Sequence, residues 1–81
     1  MTVVKVRLFA ALRELAGSNE VEVEAGSVGE LVEALSLRYG ERFEKVARAG
    51  SVVVDGERAG PETALTGGSQ QVALLPPVSG G

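Results

Sequence analysis

The chain opens with strict alternation. From Met1 to Phe9, Val4, Val6 and Leu8 fall on one side and Lys5, Arg7 and Phe9 on the other, the period of a half-buried strand. Ala10 to Ala16 changes period. Leu12, Leu15 and Ala16 share one helical face, and Gly17 is a C-terminal stop. Glu20 to Glu24 alternates again, with Val21 and Val23 inward and three glutamates outward. These segments predict a hairpin whose connection is widened by a short helix.

The next segment is the clearest helix. Ser27 and Glu30 have the spacing of a capping box, in which each side chain satisfies the other's backbone N–H. Val28, Leu31, Val32, Leu35 and Tyr39 follow at helical spacing as far as Gly40. Glu41 to Ala49 predicts a further helical turn through Phe43 and Val46, broken by Gly50. Ser51 to Val54 is a β-branched run, Asp55-Gly56 a two-residue hairpin signal, and Glu57 to Ala59 a short return strand. Pro61 to Leu65 predicts one helical turn, Thr66 to Ser69 a loop, and Gln71 to Leu75 a last strand.

One helix in the middle of five strands covers one face of a sheet. The expected fold is α+β, a ubiquitin-like β-grasp with a mixed sheet of about five strands under one main helix. A right-handed crossover is expected to set the third strand beside the first hairpin. The expected core is Val4, Val6, Leu8, Val21, Val23, Leu31, Val32, Leu35, Val72 and Leu74. Residues 1–81 are read as one domain, with 76–81 an extended, flexible C-terminal tail. Phe9 and Leu75 have the parity of the uncovered face. With Arg13 at their edge, they are expected to form a partner-binding surface.

Composition removes whole classes of function. The chain has no Cys and no His, so thiolate metal sites, disulfides and histidine general bases are excluded. The formal net charge is −3, and the eight Lys and Arg residues are scattered among eleven acids. That distribution argues against a nucleic-acid partner, which calls for a concentrated basic face. Neither a membrane-spanning run nor a signal-peptide pattern is present, so the expected location is the cytoplasm, with no membrane partner. Each serine reads as a turn, cap, surface or tail residue. Gly67-Gly68 lacks the following lysine of a phosphate loop, and no carboxylates have the spacing of a metal site.

Chemistry then falls to the C-terminus. Pro76-Pro77 stiffens the exit from the last strand, because proline fixes φ and cannot extend a ladder. Val78, Ser79, Gly80 and Gly81 follow, the last two without side chains. Fully extended, the six residues from Pro76 reach roughly 20 Å, enough to thread a narrow channel in a partner. The plain alternative for a terminal glycine pair is a frayed end. On a β-grasp body with a rigid exit, the pair points to function.

Leu74-Leu75-Pro76-Pro77-Val78-Ser79-Gly80-Gly81, together with Leu8-Phe9-Ala10-Ala11-Leu12-Arg13-Glu14-Leu15-Ala16-Gly17, resembles the small subunit of molybdopterin synthase, of the ubiquitin-like sulfur-carrier family. The resemblance spans the chain. It implies a sulfur carrier that is not an enzyme by itself and binds no cofactor stably. An ATP-dependent adenylating enzyme of the ubiquitin-activating type would form a transient AMP adduct on the Gly81 carboxylate. Sulfur would replace AMP as a thiocarboxylate. Pro76, Pro77, Val78, Ser79 and Gly80 would thread the active site of the synthase large subunit, which builds the dithiolene of the molybdenum cofactor. Two positions depart from the pattern: Gly67-Gly68-Ser69-Gln70-Gln71 replaces an acidic loop, and Ser79 stands where Ala is common. The same Gly-Gly chemistry also serves protein modifiers and carriers for thiamine or tRNA thiolation.

Overall fold

The structure, a computed structural model, describes residues 2–77. Eight elements follow in order: β1 (Val3–Leu8), α1 (Ala10–Ala16), β2 (Glu20–Glu24), α2 (Val28–Tyr39), α3 (Glu41–Ala49), β3 (Ser51–Val54), β4 (Glu57–Ala59) and β5 (Val72–Leu75). The five strands form one mixed sheet in the order β2-β1-β5-β3-β4. β1 pairs antiparallel with β2 and parallel with β5, while β3 runs antiparallel to both β5 and β4. This is the β-grasp.

The strand expected beside the first hairpin was β3. Instead β5 occupies that place, and β3 lies one position further out. The physical reason lies in the strands' own chemistry. β5 reads VALL, with no charge on either face, and suits the middle of a sheet; β2 reads EVEVE and suits an edge, where charge also discourages further pairing. The crossover through α2 and α3 leaves a slot between β1 and β3, and the last strand fills it.

The helical layer is thicker than one main helix. α3 is a nine-residue helix rather than a single turn, and it buries Phe43 and Ala47 beside the Val28, Leu31, Val32 and Leu35 face of α2. Tyr39 and Phe43, with ring centroids 5.2 Å apart, join the two helices across Gly40. Pairs at i,i+4, Glu41 with Lys45 and Glu44 with Arg48, lace the outer side of α3. Each contributes at most about 0.5 kcal/mol, so burial of Phe43 decides the helix.

The start of α2 differs in one detail from a capping box. Ser27 Oγ accepts from the Glu30 N–H at 3.3 Å, as the spacing predicts. Glu30 Oε1, however, accepts from the Gly26 N–H at 2.9 Å rather than from Ser27. The Ser27 position forms an isolated antiparallel bridge with Ala64, flanked by Val28 N–H to Thr63 O and Leu65 N–H to Gly26 O. Pro61 to Leu65 is accordingly not helical. It makes one turn, closed by Thr63 N–H to Gly60 O, and then ties the long loop to the start of α2.

All ten expected core residues are buried, together with Leu12, Ala25, Val28, Phe43, Ala47, Val52 and Leu65. No described polar or charged residue is buried with them. At about 1.5–3 kcal/mol for each large aliphatic side chain buried, this single aliphatic cluster is the dominant stabilising feature.

Candidate functional site

The parity of β1 and β5 sets up the site. Leu8 and Leu74 are partners in the parallel pairing and both are buried, so the positions flanking them, Arg7 and Ala73, belong to the face away from the helices. Phe9 keeps extended backbone (φ −122, ψ 149) as the residue preceding α1, and continues that face beyond the strand. It is 40% exposed, unusual for a phenylalanine in so small a domain. Leu75, the next step along β5, is half-buried and pairs with Ser51.

Phe9 and Leu75 therefore follow Leu8 and Leu74 on the open side of two hydrogen-bonded neighbours. Arg13 is exposed one turn into α1 and lines the same hollow as Phe9, with Arg7, Asn19 and Glu20 around it. Phe9 and Arg13 thus share one hollow, while Leu75 follows Leu74, the register partner of Leu8, on the neighbouring strand.

Sequence reasoning missed two members of this surface. Ala73 pairs with Val53, both half-buried, and they extend the apolar strip from Leu75 across the middle of the open face. Alternation in β5 could have signalled Ala73. Val53 had no such signal, because three successive valines in β3 hide which one faces inward; the pairing of Val52 with Leu74 settles it.

Charge frames the strip. Lys5 lies opposite Glu22 and Arg7 opposite Glu20 in the β1–β2 pairing, so unlike charges face each other along that side. On the other side Arg58 of β4 lies opposite Val53 and donates to Ser51 Oγ at 3.0 Å. The surface offers an apolar centre with balanced charge around it, which suits a protein partner better than a polyanion.

Four of the serine hydroxyls are held in local hydrogen bonds. Ser18 Oγ donates to Glu20 O, Ser27 caps α2, Ser36 Oγ donates to Val32 O, and Ser51 accepts from Arg58. Among the described residues no three His, Cys, Asp or Glu side chains gather into a metal-binding group, and no helix is long and apolar enough to cross a membrane.

Of the expected tail, Pro76 is half-buried and Pro77 exposed. Val78, Ser79, Gly80 and Gly81 lie outside the described residues. The last described residues follow directly from Leu75, so the chain leaves the sheet from its middle strand, at the same end as Phe9 and Arg13.

The fold and the surface define a ubiquitin-like β-grasp protein. The chain belongs to the ThiS family of sulfur carriers, whose model matches residues 6–81. Among solved structures, SAMP1 from Methanosarcina acetivorans, a small archaeal modifier protein, is similar over 100% of this chain and 98% of its own, at 30% identity and a TM-score of 0.84. SAMP1 from Haloferax volcanii is similar over 98% and 99%, at 32% identity and a TM-score of 0.76. A putative molybdopterin converting factor subunit 1 from Pyrococcus furiosus is similar over 96% and 100%, at 29% identity and a TM-score of 0.81.

Proposed function

We propose that this chain is the sulfur-carrying small subunit for molybdenum cofactor biosynthesis, acting in the cytoplasm through the carboxylate of Gly81. The observation that carries the reading is the exit of the chain. A central strand ends in Leu75 beside an open apolar face, two prolines stiffen the departure, and the sequence runs on to Gly80-Gly81. The likeness to a protein described as molybdopterin converting factor subunit 1 supports the same assignment.

The chemistry follows in two steps. A carboxylate is a poor acyl donor. An ATP-dependent adenylating enzyme overcomes this when the Gly81 oxygen attacks the α-phosphorus of ATP and pyrophosphate leaves, giving an acyl-adenylate. Sulfide then attacks the carbonyl carbon, the bond to AMP breaks and AMP departs, and a thiocarboxylate remains; sulfur brought as a persulfide on a donor protein forms an acyl disulfide instead, which a second thiol must cleave. Residues Pro76 to Gly81 thread into the large subunit of molybdopterin synthase, and Phe9, Arg13 and Leu75 dock the body against it. This chain holds the reagent; the large subunit supplies the catalytic side chains.

A second reading is favoured by the likeness to small archaeal modifier proteins. There the activated glycine is joined to a lysine of a target as an amide. One experiment separates the two. The protein is incubated with its host's adenylating enzyme, ATP and a sulfur donor, and its intact mass is followed. A gain equal to exchange of one oxygen for sulfur, with transfer of that sulfur to the pterin precursor by the large subunit, is the expected result. Adducts on lysines of other proteins without sulfur transfer would establish the modifier reading, and failure to form any adenylate would remove both.

A further inference from the structure

Gly50 lies between α3 and β3, with its N–H donating to Val46 O at 3.1 Å and Ala47 O at 3.2 Å. Its φ of −92 is negative, so the left-handed region is not what calls for glycine here. Space does. A Cβ at Gly50 would overlap Leu75 O and lie 3.0 Å from both Leu75 C and Pro76 C. All three are backbone atoms, so no rotamer change relieves the overlap. Leu75 and Pro76 would have to retreat by about 1 Å or more to reach an allowed contact.

We propose that Gly50 is a positioning residue: lacking a side chain, it lets Leu75 and Pro76 pass against the start of β3 and so sets the direction in which the chain leaves the sheet towards Gly81. The inference rests on the sulfur-carrier reading for its purpose, but its geometry stands on Gly50, Leu75 and Pro76 alone. The two prolines make the placement matter. A displacement at Leu75 meets fixed φ angles at Pro76 and Pro77, so these two residues absorb less of it than others would. The reacting carboxyl lies several residues further, and acyl transfer is sensitive to misplacement by about 1 Å, which can cost a hundredfold in rate. Ser51, the neighbour of Gly50, pairs with Leu75 and anchors the other side of the same exit.

The test separates aim from folding. In Gly50→Ala, kcat for adenylation should fall ten- to a hundredfold and KM should rise by much less, because of the docking residues Phe9, Arg13 and Leu75 only Leu75 is displaced. An unchanged kcat overturns the proposal. So does a loss seen only in KM, which marks a role in docking. A second readout needs no enzyme. The chain has no Cys, so Glu22→Cys and Val78→Cys accept a pair of spin labels, and pulsed electron paramagnetic resonance reports their separation. Gly50→Ala should shift the mean distance, and an unshifted distance overturns the proposal. Should Gly50→Ala fail to fold, the double variant Pro76→Gly, Pro77→Gly decides instead, since it leaves β3 untouched and removes the stiff coupling. Its distance distribution should broaden and its kcat fall; a narrow distribution with full kcat overturns the proposal. If the wild-type protein forms no adenylate at all, the function proposed above fails, while the label distances still decide the role of Gly50.

Discussion

Leu8 of β1 and Leu74 of β5 are paired in parallel register, and each is fully buried, at 1% and 0% exposure. The pair joins the first strand to the last at the point where the chain is about to turn into α1 on one side and into Pro76 on the other. Neither side chain has room to collapse into a neighbour's place. Leu74→Ala should therefore cost about 2–5 kcal/mol, read as a lower midpoint in urea denaturation with an unchanged slope. Leu37→Ala, at a position 82% exposed on α2, should stay within about 0.5 kcal/mol of wild type. Equal costs at the two positions would contradict the burial assigned here.

The start of α2 offers a finer measurement. Ser27→Ala removes the acceptor for the Glu30 N–H and should cost about 1 kcal/mol. Glu30→Ala strips the Gly26 N–H of its partner and should cost about 0.5–1 kcal/mol, whereas Glu30→Gln, whose amide oxygen still accepts, should recover most of it. Thermal denaturation of the three variants checks both bonds. A Glu30→Gln as damaging as Glu30→Ala would assign the effect to charge at the helix N-terminus instead.

Alternation was the most legible feature of this sequence, and pairing order the least. Val4, Val6 and Leu8, like Val21 and Val23, declare their buried face because polar residues separate them. The Asp55-Gly56 turn was equally plain. Its φ values of 51 and 85 are the left-handed pair that a two-residue hairpin demands. Hydrophobic period reports what an element buries, not which strand it pairs with. The insertion of β5 between β1 and β3 was therefore out of reach of the crossover rule, although the uncharged run Val72 to Leu75 was a usable hint. α3 was underestimated because charged residues fill most of its positions and only Phe43 and Ala47 become buried. Near the chain's exit, the exposure of Phe9 was legible from the parity of β1. Gly50 was not, since a close backbone approach between residues 25 apart leaves no local pattern.

The open face makes its own prediction. Phe9 is the largest exposed apolar group at the end of the sheet where the chain departs, and anchors of that kind dominate affinity at protein interfaces. Phe9→Ala should weaken binding to the synthase large subunit by at least tenfold. Val53→Asp should act in the same direction, because it places in the apolar strip a charge that a docked partner must desolvate even with Arg58 opposite. Circular dichroism should show both variants folded. Titration calorimetry with wild-type affinity for both would move the docking surface elsewhere.

The decisive prediction concerns the carboxylate. Adenylation needs a free α-carboxylate at Gly81, so one residue appended after it should abolish acyl-adenylate formation and sulfur transfer. Gly80→Val and Gly81→Val should come close to the same loss by a different route, since a β-branched side chain narrows the accessible backbone and widens a segment that must enter a channel. Thermal stability should stay within about 0.5 kcal/mol of wild type in all three, because changes at a chain terminus contribute little to folding. The measurement is ATP-dependent formation of the acyl-adenylate, followed by the thiocarboxylate, with the host's adenylating enzyme. The chain has no cysteine to hold sulfur as a persulfide, and its serine hydroxyls offer no substitute. An extended variant that still supplied sulfur to the pterin would therefore leave the proposed chemistry without a carrier atom.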